Sequence, residues 1–310
     1  VIEGTGVDAL RVELSPAFQL IMSISLVVMM FTVALGLKLK DFMDLRKEPW
    51  AVGGGVLAQV LGLPLLTLGL IFWLQPAPSV ALGMIVVASC PGGNVSNALT
   101  LFARGDTAYS VSLTSISAVS AAVVTPISIL FWANQYGPTS VLVDTLDVDP
   151  SIFLVQTAGL LALPLLAGMS LAHWKPEFAS VLRRMLIPVA FTMLVGLILV
   201  GAFSNRDVLF STEHSLIPLV MTHNALAFVL GGGAGFAMQL AGAKIRALTF
   251  EVGIQNAGLG LLLLLSQFGG VGGAVAVTAL WGVWHITAGF ILVGLFRGYD
   301  HLKNKRSAGT

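Results

Sequence analysis

Charged residues are missing from long continuous stretches of this 310-residue chain. Segments 14–37, 49–103, 107–143, 150–174, 185–205 and 214–243 carry none, and in 247–296 Glu251 stands alone. A membrane-crossing helix takes roughly 20 consecutive apolar residues, so 49–103 and 247–296 each hold two crossings and the others one each. The spacing predicts about nine spans, at about 17–37, 50–74, 79–102, 107–132, 151–172, 185–203, 215–241, 246–266 and 271–296. Stretches such as 25–37 and 259–265 do not alternate in polarity, which excludes a β-barrel. Apolar residues at 56%, charged residues at 10% and a mean hydropathy of +0.91 fit a chain whose solvent is lipid. The fold class is therefore an all-α polytopic membrane protein, in contact with membrane lipid and with no nucleic-acid partner.

Short basic loops stay cytoplasmic. With the N-terminus outside and the C-terminus cytoplasmic, 14 of the 16 Lys and Arg residues fall on the cytoplasmic side, and only Arg11 and Arg206 remain outside. Residues 1–17 show no basic leader with an apolar core, so the first span is expected to direct insertion itself. The lone cysteine, Cys90, excludes an intramolecular disulfide and a thiolate metal cluster. It reads as a small packing residue, and the chain reads as a non-enzyme.

Two spans carry sequences that a plain lipid-facing helix would not tolerate. The third reads Cys90-Pro91-Gly92-Gly93-Asn94-Val95-Ser96-Asn97 and the eighth Glu251-Val252-Gly253-Ile254-Gln255-Asn256-Ala257-Gly258. Pro91 lacks a backbone donor, the glycines weaken the helix, and the polar side chains need partners. Both spans are expected to break. They occupy the penultimate position in each half of the chain and run in opposite directions, the pattern of an inverted repeat with discontinuous helices. The first half then lacks an opening helix.

Glu251 is the only acid in the predicted spans, and an ionisable side chain there costs roughly 3 kcal/mol on insertion scales. With no Lys or Arg inside any predicted span, its compensation is a bound cation, a proton or water; the plainer reading is an interfacial Glu near Arg246. Ser96, Asn97, Ser110, Thr114 and Gln255 lie at comparable depth and offer neutral oxygens, with Gln59 slightly deeper. Hard cations take oxygen ligands of this kind, which favours sodium over a transition metal. The N-termini of the half-helices favour an anion. His223, His285, Trp281 and the glycines at 231–235 read as packing residues, with Trp284 a packing or interface residue.

At these motifs, and at Ala103-Arg104-Gly105-Asp106 followed by Ser110 and Thr114, the chain resembles the bile acid:sodium symporter family over residues 25–296. The resemblance implies a sodium-coupled symporter of organic anions with two coupling sodium ions. The first ion site carries over to Ser96, Asn97, Ser110, Thr114 and Glu251. The second carries over to Gln59, Glu251, Val252, Ile254 and Gln255, with Val252 and Ile254 acting through carbonyls. Asn94 and Asn256 would face the substrate. The implied architecture is a core (about 49–132 and 214–296) carrying the two crossing helices and a panel (about 17–37 and 151–203), within one transport domain acting as a monomer in a bacterial inner membrane. Two other readings stay open: a proton-coupled organic acid carrier, and a metalloid efflux carrier using Cys90.

Overall fold

The computed structural model describes residues 16–37, 48–204 and 216–307. Arg11, Lys38, Lys40, Arg46, Lys47 and Arg206, which entered the orientation argument, lie outside the described residues. Among the described residues the chain is helical, and its sole β pairing is the isolated bridge Gly92–Gln255.

Helices α1 (Pro16–Ala34), α2 (Pro49–Leu74), α3 (Pro78–Ser89), α4 (Asn94–Phe102), α5 (Thr107–Asn134), α6 (Gly137–Thr145) and α7 (Pro150–Trp174) are followed by α8 (Pro176–Ser204). The chain continues through α9 (Leu216–Ala237), α10 (Gly242–Gly253), α11 (Ala257–Gln267) and α12 (Gly272–Ser307). Five described helices are long and apolar enough to cross a membrane: α2, α5, α7, α9 and α12. The third and eighth predicted spans are each split, into α3 with α4 and α10 with α11, so each half alone is too short to cross. Large apolar side chains such as Val155, Leu163 and Leu295 stay exposed on the outside of the bundle. Trp50 and Trp73 sit at opposite ends of α2, 23 residues or roughly 35 Å apart along the axis. That separation suits interfacial aromatic anchors on either side of a bilayer.

Three features depart from the sequence reading. First, α2 contains a π-turn at Ala58–Gly62, where the Leu63 N–H reaches the Ala58 carbonyl five residues back. Pro64 has no N–H to offer the turn behind it, and widening that turn relieves the conflict. Second, α6 is a short helix absent from the predicted spans. Third, α8 begins at Pro176 rather than near 185, so Arg183 lies two turns inside a helix and not in a loop.

Polar side chains tie several helix ends together at one end of the bundle. Lys244, the third residue of α10, pairs with Glu48 ahead of α2. Arg246 donates to Asp300 (2.9 Å) and to the Ala103 carbonyl (2.7 Å), and the Asp106 N–H donates to the Ala243 carbonyl. These contacts hold the α4–α5 turn against the start of α10, which sets α4, α5 and α10 side by side.

Candidate functional site

The two broken spans cross where they unwind. The Asn256 N–H donates to the Pro91 carbonyl (2.9 Å) and the Gly93 N–H to the Ile254 carbonyl (3.2 Å), so each extended segment satisfies part of the other's backbone. Crossing segments of this kind survive inside a membrane only when buried in protein, and Pro91, Gly92, Ile254 and Gln255 are all buried. The break leaves the C-terminal ends of α3 and α10 and the N-terminal ends of α4 and α11 around one point. Carbonyl-rich ends favour a cation and amide-rich ends an anion.

Glu251, in the last turn of α10, is fully buried. Its carboxylate receives the Ser96 hydroxyl from α4 at 2.8 Å, and Thr114 Oγ1 from α5 lies 3.0 and 2.9 Å from its two oxygens. Ser110, one turn before Thr114, donates to Asn97 Oδ1 at 2.8 Å. Thr114 Oγ1 stands within 3.3 Å of that same Asn97 oxygen and 3.0 Å from the Ser110 carbonyl. A threonine hydroxyl carries one proton. Four acceptor oxygens surround Thr114 Oγ1 and one proton serves them, so close oxygen–oxygen contacts remain that a bound cation or a proton on the carboxylate would relieve. Ser96, Asn97, Ser110, Thr114 and Glu251 are thus brought together, as their sequence depth predicts.

Gly92 marks the far side of the carboxylate. A Cβ there would stand 2.2 Å from Glu251 Oε1 and 3.1 Å from Gln59 Nε2, so only glycine lets the crossing strand pass between them. Gln59 Nε2 lies 3.4 Å from Gln255 Oε1, and the Gln255 amide donates to the Val252 carbonyl at 2.8 Å. The π-turn of α2 carries Gln59 into this group. The Ile254 carbonyl instead belongs to the crossing, as acceptor for Gly93. Asn256 caps α11 by accepting from the Leu259 N–H and also lines a cavity of about 230 Å³ in front of the crossing. The Asn94 side chain lies outside the described residues.

The interfacial reading of Glu251 finds no support, because the Arg246 fork is committed to Asp300 and Glu251 is enclosed. Cys90 is buried in an apolar cluster with Leu26, Met30 and Leu259. His223 shares a 2.7 Å hydrogen bond with Thr67 and packs edge-on to Trp281. His285 Nδ1 bonds the Trp281 carbonyl, and the ring borders the cavity. Sequence reading missed Thr100, whose hydroxyl reaches Ser110 at 3.3 Å, and Asn224, whose amide caps the end of α10 at the Gly253 carbonyl (2.8 Å). Thr100 sits one turn after Ser96 on α4, a spacing available as a signal; for Asn224 the signal is the His223-Asn224 pair within an uncharged run, which resembles the same bile acid:sodium symporter family.

Residues 23–212 match the profile of the Sodium Bile acid symporter family. The chain is 31% identical over 270 residues to a Bacillus subtilis (strain 168) protein named uncharacterized sodium-dependent transporter YocS, covering 87% of this chain and 81% of that one. It is 31% identical over 249 residues to the rice (Oryza sativa subsp. japonica) chloroplast protein named "probable sodium/metabolite cotransporter BASS2", covering 79% of this chain and 57% of that one. It is 25% identical over 300 residues to the human ileal sodium/bile acid cotransporter, covering 94% and 83%.

Proposed function

The chain belongs to the sodium bile acid symporter family, and on that premise we propose that it drives uptake of an organic anion by coupling it to two sodium ions. The observation that carries this reading is the oxygen cluster at Glu251, in which one Thr114 proton faces four acceptors around a buried carboxylate. A sodium ion among Ser96, Asn97, Ser110, Thr114 and Glu251 would neutralise the carboxylate and use the surplus oxygens. A second, among Gln59, Gln255, Glu251 and the Val252 and Ile254 carbonyls, would sit at the carbonyl-rich end of α10. The substrate would lie in the cavity that Asn256 borders, with Asn94 beside it.

The transport cycle we infer is alternating access, with about nine spans arranged as an inverted repeat. The core (about 49–132 and 214–296) holds the crossing, and the panel (about 17–37 and 151–203) moves against it. In support, α1, α7 and α8 pack on one another. Supporting a cytoplasmic C-terminus, Glu48, Arg104, Lys244, Arg246 and Asp300 gather at one end of the bundle. The setting would be a bacterial inner membrane, with the chain acting as a monomer.

Each cycle would carry two sodium ions and one monovalent anion while Glu251 stays with the protein, so each cycle moves one net positive charge. An inside-negative potential then contributes about 2.3 kcal/mol per 100 mV. The test is uptake into proteoliposomes: a sodium gradient should drive accumulation of a monoanion, and a potassium–valinomycin potential should drive it with sodium equal on both sides. Accumulation driven by a pH gradient in sodium-free buffer would establish the proton-coupled reading instead.

A further inference from the structure

Two cavities meet at Arg183 and Ile187. The cavity of about 230 Å³ in front of the crossing and a wider one of about 820 Å³, between the ends of α1 and α7 and the start of α8, share Arg183 and Ile187 as a common wall. Arg183 is half-buried, and its Nε is enclosed without a hydrogen-bond partner among the described residues. No described Asp or Glu lines either cavity. Arg183 therefore brings a guanidinium to a cavity wall that holds no described carboxylate, and a bound oxyanion would stabilise that charge.

The neighbours reinforce that sign. Gly36, just past α1, makes the room: a Cβ there would stand 2.6 Å from Arg183 Nε. On the opposite wall, α4 starts at Asn94 behind Gly93, which has no side chain to cap the first amides, and α11 starts behind Asn256. Each helix start carries roughly half a positive charge. One guanidinium and two helix N-termini therefore border a single cavity whose remaining wall is mainly apolar, including Met29, Val33 and Ile286.

We propose that Arg183 is the anchor for the substrate's carboxylate, and that the cavity takes a small organic carboxylate with a short apolar body. This rests on the symporter reading for the claim that the cavity is the transport site. The guanidinium fork offers two parallel N–H groups to two carboxylate oxygens, which an ammonium cannot match. The volume falls below the roughly 300–1,000 Å³ of pockets for drug-sized ligands, which favours a small acid over a steroid. Arg183 belongs to α8, whereas the sodium oxygens belong to α2, α4, α5, α10 and the α10–α11 break. A bound carboxylate would thus link the two groups of helices and neutralise the neck between the cavities, allowing it to close without enclosing a bare cation.

The experiment is a thermal-shift titration of the full chain in detergent at fixed sodium. The probes are propionate through hexanoate, the matching uncharged amides, and cholate. The carboxylates should stabilise the unaltered protein at concentrations at least roughly tenfold below their amides. Arg183→Gln should weaken the carboxylates roughly tenfold or more, with Arg183→Lys in between, while stabilisation by sodium alone stays unchanged in all three. If Arg183→Gln does not fold, phenylglyoxal modification of Arg183 in the unaltered protein is the readout, with protection expected from hexanoate and not from hexanamide. Unchanged carboxylate affinity in Arg183→Gln, equal binding of amides, no carboxylate binding, or no protection overturns the anchor; cholate binding more tightly than hexanoate overturns the size assignment. Loss of the sodium effect in the unaltered protein, with the carboxylate effect and its Arg183 dependence intact, would sink the sodium reading and leave the anchor standing.

Discussion

Behind the crossing, polar side chains from α2, α4, α5, α10 and the α10–α11 break meet around Glu251 at 2.8–3.4 Å, all of them buried except the half-buried Asn97. In front of it, the cavity between the crossing and α1, α8 and α12 is walled mainly by apolar side chains, and among its described lining residues Arg183 alone carries a fixed charge. Gly92 and Gln255, in the two unwound segments, border both. The ion layer is defined by how many oxygens face how few protons, a property of residue types. The cavity is defined by how far α1 and α8 stand from the crossing, a property of packing. An oxygen cluster of this kind points to one class of ligand, while an apolar cleft with a positive rim points only to a charge and a size.

Substitutions in the ion layer should therefore have large, sodium-specific effects. Glu251→Gln keeps the shape, removes the charge and puts an amide donor among hydroxyls that already donate. Removing one partner of a buried charged group costs about 3–5 kcal/mol, so sodium-driven uptake should fall to background, roughly 100-fold or more. Uptake that kept its sodium dependence in this variant would show that the ion layer is elsewhere.

Gly92 and Gly93 separate the two regions more finely. Gly92→Ala places its methyl group 2.2 Å from a carboxylate oxygen that Ser96 and Thr114 hold in place, whereas the nearest atom to a Cβ at Gly93 is the Gln255 carbonyl at an ordinary 3.5 Å. Overpacking of this sort costs about 1–3 kcal/mol. Sodium affinity, measured by sodium-dependent thermal stabilisation, should fall roughly 10- to 100-fold in Gly92→Ala. It should stay within about twofold in Gly93→Ala, and equal behaviour of the pair would break the comparison.

Thr114→Val removes the hydroxyl that touches both Glu251 oxygens and Asn97, while Thr114→Ser keeps it. A hydrogen bond to a charged group is worth about 1.5–3 kcal/mol, so the valine variant should lose roughly tenfold or more in sodium affinity. The serine variant should recover most of it. If serine and valine lose equally, the methyl group's packing matters and the hydroxyl does not.

The smallest effect should come from Cys90→Ala. Cys90 ends α3 one residue before Pro91, but its side chain packs among apolar residues rather than in either region. Uptake should be unchanged and stability lowered by about 1 kcal/mol. Arsenite protection of Cys90 from a thiol reagent would return weight to the metalloid reading.

Much of this molecule was legible in its residue order because lipid enforces composition. Uncharged runs located the helices, Pro91 with its glycines and the Gly253–Gly258 region located the breaks, and one acid in a 50-residue uncharged run singled out Glu251. Ser110 and Thr114, one helical turn apart, announced a shared face. What lay beyond reach needed contacts between segments far apart in the chain. Ser96 meets Glu251 across 155 positions and Gln59 meets Gln255 across 196, so the partners of each oxygen followed only from the crossing. The requirement for glycine at 92 is likewise a matter of what passes beside it. Arg183 shows the limit most clearly: the rule that assigns basic residues to cytoplasmic loops treats it as an orientation signal. Only the folding of α8 from Pro176, packed past Gly36, turns its side chain toward the cavity. Hydrophobicity is summed along a chain and can be read there, whereas the surroundings of a single charge are set by the approach of helices whose spacing no local pattern encodes.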